Sequence, residues 1–348
     1  MKKNHLIILA GLLAALVAAY FFVQRPKTSK VAGFYRQVTP AFDIDSINSI
    51  DALVLSHPDT MLHLRKGKTG WVVEMERDGE KFQAPARDSK VKRLLGILRD
   101  MQGELRAQGS NHFATFNIGQ KEGLKITVSS TDGKQFTLVV GKKGPDWSSS
   151  FVRKADSDKI FLVSKNILAA FDIWSEKPDK DLNLKSWVNM DVISVFPDDV
   201  KRCSYESKDL SWSLTRANAN NNKNNGQNKS TIDKKGGKAT WIFKTGDTRQ
   251  KKSAAEVEEY LSKLLPLHAK DIEAPSAATK SGRSQDSAEK MASFSCTVES
   301  GPEITVTIDR CLDKEKYCLV RRNNYIFKVD KTWVQRLQKP FVSHQLSH

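Results

Sequence analysis

Asp88-Ser89-Lys90-Val91-Lys92-Arg93-Leu94-Leu95-Gly96-Ile97-Leu98-Arg99-Asp100-Met101 is the stretch on which the fold turns. Val91, Leu94, Leu95, Leu98 and Met101 recur at helical spacing, so they form one apolar face on a helix whose other face is charged. The same stripe returns 166 residues later as Val257, Tyr260, Leu261, Leu264 and Leu267. Asp88 and Ser253 suit the N-caps of the two helices, because a short side-chain oxygen can accept from a first-turn N–H that has no helical partner. A stripe repeated at a fixed offset is the mark of an internal repeat.

The echo continues on both sides. Gly70-Trp71-Val72-Val73 answers Thr240-Trp241-Ile242-Phe243, and Ile160-Phe161-Leu162-Val163 answers Ile326-Phe327-Lys328-Val329. Phe151-Val152-Arg153 answers Leu319-Val320-Arg321, with the offset slipping to 168. Alternating runs at 52–55, 61–64 and 71–75 predict a β-meander before the first helix. Runs at 124–129 and 135–140, joined by Thr131-Asp132-Gly133-Lys134, begin a second meander. Leu168 and Phe171 then predict a further helix over 164–173, echoed by Val334 and Leu337. The fold expected is α+β: two repeated modules, each of antiparallel β-meanders with two helices, over residues 45–180 and 190–340. The junction falls near 179–189. The Asn-rich stretch at 217–238 and the Ala/Ser/Lys-rich stretch at 274–290 read as flexible insertions, too polar to bury.

Residues 1–30 read as a membrane anchor. Residues 6–23 carry no charge, and as a helix they would span roughly 27 Å, close to a hydrocarbon core of about 30 Å. Tyr20, Phe21 and Phe22 suit the far interface. A cleaved signal peptide is the rival, but bulky residues follow the only small-x-small site, and no cysteine follows the run to make a lipoprotein. A single uncleaved transmembrane helix is expected, in a bacterial inner membrane, with the body in the periplasm or otherwise outside the cytoplasm. Arg25, Lys27 and Lys30 oppose the positive-inside signal of Lys2 and Lys3.

The 348 residues carry 56 Lys+Arg against 40 Asp+Glu, a formal charge of +16 that favours anionic surfaces. Residues 218–252 concentrate it, with nine basic residues against Asp233 and Asp247. Nucleic acid suits that charge but not the compartment. Four cysteines, Cys203, Cys296, Cys311 and Cys318, form no C-x-x-C, which argues against zinc or thioredoxin-like chemistry. In an oxidising compartment they can pair. Cys311 and Cys318 flank a loop between adjacent strands, while Cys203 and Cys296 lie on strands of the same lobe. The pairing 311–318 with 203–296 is favoured among three connectivities.

A catalytic motif is not apparent. Seven histidines show no H-E-x-x-H or other metal-ligand spacing. There is no G-x-S-x-G elbow. Gly141-Lys142-Lys143-Gly144 lacks the spacing of a phosphate-binding loop and reads as a hairpin loop. No catalytic, cofactor-binding or metal-ligating residue is assigned, and no cofactor is expected. Trp147, in Gly144-Pro145-Asp146-Trp147-Ser148-Ser149-Ser150, is the candidate interface residue, because a loop tryptophan can anchor a contact. Tucking back onto its own sheet is the competing expectation.

Gly70-Trp71-Val72-Val73, Ala86-Arg87-Asp88-Ser89-Lys90-Val91, Phe136-Thr137-Leu138-Val139-Val140-Gly141, and Phe151-Val152-Arg153 leading to Ile160-Phe161-Leu162-Val163 together resemble the bacterial family catalogued as domain of unknown function 4340. The resemblance covers roughly residues 45–340. It implies a single-anchor envelope protein, some members being similar to auxiliary components beside ABC-type transporters of the gliding-motility kind. It carries over no catalytic residue, since the family has none established. The Asn-rich insertion and the four cysteines depart from the general pattern.

The expected function is therefore a non-enzymatic, membrane-anchored envelope scaffold or auxiliary subunit of a membrane complex, an ABC-type transporter being the candidate partner. The alternative is a periplasmic module binding an anionic glycan, lipid or peptidoglycan. A hydrolase with an unfamiliar site ranks last, for want of a nucleophile–base set.

Overall fold

The structure, a computed structural model, describes residues 39–40, 49–99, 101–217, 240–278, 291–299, 301–311 and 316–341. Alternating apolar residues build a four-strand meander: β1 (Ile50–His57), β2 (Thr60–Lys66), β3 (Trp71–Arg77) and β4 (Glu80–Pro85). Leu53, Leu55, Leu62, Leu64 and Val73 supply its buried face. Asp78 and Gly79 turn the β3–β4 corner at φ 51° and 78°, the left-handed pair a tight two-residue hairpin needs. Helix α1 (Asp88–Arg99) buries Val91, Leu94 and Leu98. Each such side chain stabilises the fold by roughly 1.5–3 kcal/mol relative to exposure. Then come β5 (Gln102–Gln108), the one-turn α2 (Phe113–Phe116), and a second meander: β6 (Leu124–Ser130), β7 (Gln135–Lys143), β8 (Ser150–Lys154) and β9 (Lys159–Val163). These strands lie in the order β5-β9-β8-β7-β6-β1-β2-β3-β4, so the two meanders join where β1 meets β6.

A connector carrying β10 (Asp191–Ile193) leads to the second sheet. Its first meander is β11 (Val200–Ser207), β12 (Ser211–Arg216), β13 (Trp241–Thr245) and β14 (Thr248–Lys252). Helix α3 (Ala254–Ser262) opens on a capping box between Ser253 and Glu256 and buries Val257, Tyr260 and Leu261. Strand β15 (Leu267–His268) pairs with β10 in a small separate sheet. After β16 (Asp271–Glu273), β17 (Ala292–Val298), β18 (Ile304–Cys311), β19 (Tyr317–Arg322) and β20 (Tyr325–Asp330) form the last meander, followed by α4 (Lys331–Gln338). The order is β14-β13-β12-β11-β17-β18-β19-β20-β16.

The two sheets thus share one strand order. Corresponding residues also stand on corresponding rungs. Val152 faces Phe161 as Val320 faces Phe327, and Trp71 faces Lys66 as Trp241 faces Arg216. At the join between meanders, Leu53 faces Val128 in the first sheet and Cys203 faces Cys296 in the second.

The first hairpin departs from its counterpart. Beyond the Met75–Phe82 rung, β3 and β4 continue through Glu76–Lys81 and Arg77–Glu80, whereas β13 and β14 turn at Thr245–Thr248. The added tip grips the second sheet. Arg77 pairs with Asp271 at 3.1 Å and Glu273 at 2.9 Å, and Glu80 accepts from the Ser276 N–H at 3.2 Å. Beneath it one continuous apolar cluster runs from Leu53 and Leu94 through Trp187 to Phe294 and Leu337. From Pro40 on, the described chain clusters as one compact unit.

The expected α+β class is corrected, for β-structure dominates both lobes. Residues 164–173 form only the 3₁₀ turn Leu168–Phe171, not a second helix. The Asn166 side chain accepts from Ala169 N–H, Ser150 Oγ takes the Ile167 N–H, and Asp172 at φ 61° ends the turn, so propagation stops after one turn. The strands β4, β5, β14 and β16 also go beyond the expected meanders. The transmembrane helix expected over 6–23 lies outside the described residues, as do 218–238 of the insertion expected at 217–238 and 279–290 of the stretch expected at 274–290. The start of the latter is corrected, because Ala274 is buried and Pro275–Ala278 form a 3₁₀ turn held by the Glu80 carboxylate. Among the described residues no helix is long and apolar enough to cross a membrane.

Candidate functional site

The β7–β8 loop is built to hold one side chain outward. Pro145 fixes the second position of a turn closed by Trp147 N–H donating to Gly144 O at 3.2 Å. The Asp146 carboxylate accepts from Ser149 N–H at 3.1 Å, from Ser148 Oγ at 2.9 Å and from Ser149 Oγ. Those hydrogen bonds, the Ser149 hydroxyl first, hold the Asp146 carboxyl below its ordinary pKa. Trp147 follows at φ 59°, a left-handed conformation uncommon for a bulky residue, and its carbonyl accepts from Asn166 Nδ2 at 2.8 Å.

Beneath the indole lies Lys143, the last residue of β7. Its side chain is buried, with Nζ 4.9 Å from the Trp147 ring centroid and donating to Trp174 O at 2.8 Å. Its N–H donates to Glu176 O at 2.7 Å. One lysine therefore fastens the Trp147 loop to the segment carrying Trp174. The two indoles are 59% and 69% exposed. The other five tryptophans, Trp71, Trp187, Trp212, Trp241 and Trp333, are each at most 8% exposed. Trp212 and Trp333 also spend their N–H groups internally, on Leu337 O at 2.8 Å and Leu264 O at 3.1 Å. Trp147 and Trp174 are thus the two exposed tryptophans, on segments joined through Lys143, with its cation behind the Trp147 ring.

Gly141 and Lys143, expected in a hairpin loop, belong to β7. A Cβ on Gly141 would stand 2.1 Å from Phe116 O, which is why glycine is needed where α2 crosses the sheet. Sequence reasoning missed Trp174 and Lys143. Trp174 follows a segment misread as helix, and Lys143 sits among charges that read as solvated. Their only sequence signal is that each adjoins Gly, Ser or Pro-rich turn sequence.

Cys311 and Cys318 are joined by a disulfide. Cys203 and Cys296 are buried free thiols with sulfurs 2.9 Å apart, and burial followed by the neighbouring thiol pushes the Cys203 pKa up. His57 is packed against Pro178 O at 2.7 Å. No group of three His, Cys, Asp or Glu gathers as a metal site among the described residues. A 430 Å³ cavity lined by Asp198, Asp199, Arg216 and Glu299 lies beside β12 and β17, and none of its lining residues belongs to the Trp147 or Trp174 segments.

Fold and site define a β-rich protein of two sheets with the same strand order and two exposed tryptophans, Trp147 and Trp174. The chain belongs to the family described as Domain of unknown function (DUF4340), whose profile matches residues 79–288. No curated protein and no solved structure matches the chain.

Proposed function

We propose that this chain is a non-enzymatic scaffold or auxiliary subunit of a membrane complex in the bacterial envelope, with an ABC-type transporter as the candidate machine, and that Trp147 and Trp174 make the contact. The observation that carries this is the segregation of tryptophans: five are packed inside, and the two left outside sit on segments tied together by one buried lysine, which lies under the Trp147 ring and donates to the Trp174 carbonyl. Tryptophan is enriched at binding hot spots because a rigid, large side chain buries much area at little entropic cost. The uncharged run at 6–23 supports membrane attachment, with the body outside the cytoplasm. Attachment would raise the effective concentration of the contact surface toward an embedded partner.

Copurification after mild detergent extraction tests the proposal. Trp147→Ala with Trp174→Ala should lower partner recovery at least about 30-fold, the loss expected of a hot spot of about 2 kcal/mol or more. Deleting residues 218–237 should leave recovery intact. Unchanged recovery in the double variant, with an unchanged melting temperature, would place the surface elsewhere.

A second proposal is binding of an anionic glycan, lipid or peptidoglycan. It is favoured by the exposed edge strand β14, which carries Arg249, Lys251 and Lys252. Sedimentation with peptidoglycan or anionic vesicles would then fall steeply with salt and with Arg249→Glu plus Lys251→Glu. Lysines on an edge strand also deter edge-to-edge pairing, which explains β14 without a ligand.

A further inference from the structure

We propose that Cys203 and Cys296 close into a second disulfide, buried at the join between the two meanders of the second lobe. Three observations converge. The two residues face each other on neighbouring strands, β11 and β17, with their sulfurs already 2.9 Å apart. Cys311 and Cys318 also face each other on neighbouring strands, β18 and β19, and that pair is bonded, so directly opposed cysteines cross-link in this sheet. The corresponding rung of the first lobe is Leu53 facing Val128. Aliphatic side chains therefore fill this place in the fold, and packing alone does not call for two thiols. That both sides of the rung are cysteine points to a bond between them.

The step balances. Each thiol loses its proton, one S–S bond forms, and the two electrons reduce the disulfide of an extracytoplasmic thiol–disulfide oxidoreductase to its dithiol. It must occur during folding, since both sulfurs are buried in the finished lobe. Once closed, the bond is shielded from soluble reductants by the same burial. It links positions 93 residues apart and joins the two ends of the stretch that includes the basic region at 218–252. The inference rests on the extracytoplasmic location but not on the tryptophan surface.

The test counts thiols in full-length protein taken from its bacterial envelope. The protein is quenched in acid, unfolded without reductant and alkylated with a polyethylene-glycol maleimide, so that each free thiol adds one mass increment. No increment is expected before reduction and four after it, with proteolysis yielding the Cys203–Cys296 peptide pair. In a Cys311→Ser, Cys318→Ser background, protein unfolded, reduced and refolded under reductant should melt on the order of 5–10 °C below the protein as isolated. Two increments mapping to Cys203 and Cys296 would overturn the inference alone. Four would overturn both it and the location on which it rests.

Discussion

Trp147 holds a left-handed backbone that costs a bulky residue about 1–3 kcal/mol, and it does so at an exposed loop where the ring gains little from packing. Replacing it with glycine removes that strain, so Trp147→Gly should melt at the same temperature as the parent or above it. The same variant should lose partner recovery at least about 30-fold. A lower melting temperature with recovery retained would mean that the indole serves the fold. Asp146, which braces the loop, has its folded-state pKa lowered by hydrogen bonds that need the carboxylate. Its contribution is therefore complete above the ordinary aspartate value of about 3.9 and is lost as pH falls through the lowered folded value. Recovery should be flat from about pH 8 to about pH 5 with respect to this group and should fall only below about pH 4, measured against an Asp146→Asn control that lacks this titration.

At the scale of elements, the longer β3–β4 hairpin is what fastens one lobe to the other. Its two added rungs carry Arg77 and Glu80, and the shorter β13–β14 hairpin has no equivalent tip. Arg77 is about three-quarters buried between Asp271 and Glu273, so Arg77→Ala should cost about 1–3 kcal/mol by leaving each of these largely buried carboxylates with only its lysine, Lys185 or Lys328. Denaturant melts of Arg77→Ala beside the exposed Thr248→Ala would check this, with the second change within about 0.5 kcal/mol of the parent. The elements legible in the sequence were those with strong periodicity: the stripe from Val91 to Leu98, and strands such as β6, whose buried and half-buried residues alternate along its length. Of the strands that were missed, β14 and β16 lie at sheet edges and carry Thr-Arg-Gln-Lys-Lys and Asp-Ile-Glu, where one face or both meet water and ions. Leu168 and Phe171 gave a helical spacing that holds for one turn only, because side chains at Ser150 and Asn166 claim the N–H groups. The site was half legible. Trp147 stood out among turn residues, whereas the approach of Lys143 to Trp174 joins residues 31 apart and is a product of the tertiary fold.

For the whole molecule, one apolar cluster bridges two sheets of the same strand order, with Trp187 at the crossing, packed on Phe171 at 5.5 Å. The lobes should therefore unfold together. Calorimetry is expected to give a single transition in the described body, and Trp187→Ala, at a cost of about 3–5 kcal/mol, should lower it without splitting it. Two separated transitions in the parent would show that the lobes are independent. A single transition would also bear on the proposed recognition, since a surface fixed to one cooperative body needs no ordering before it meets a partner. The most direct measurement of that recognition is site-specific photocrosslinking in the living bacterium, with benzoyl-phenylalanine at position 147 or 174 and, as equally exposed controls, at Met61 or Phe196. We expect the same discrete membrane-protein adduct from 147 and 174 and none from the controls. No adduct at 147 and 174, or the same adduct from all four positions, would contradict the proposed contact surface.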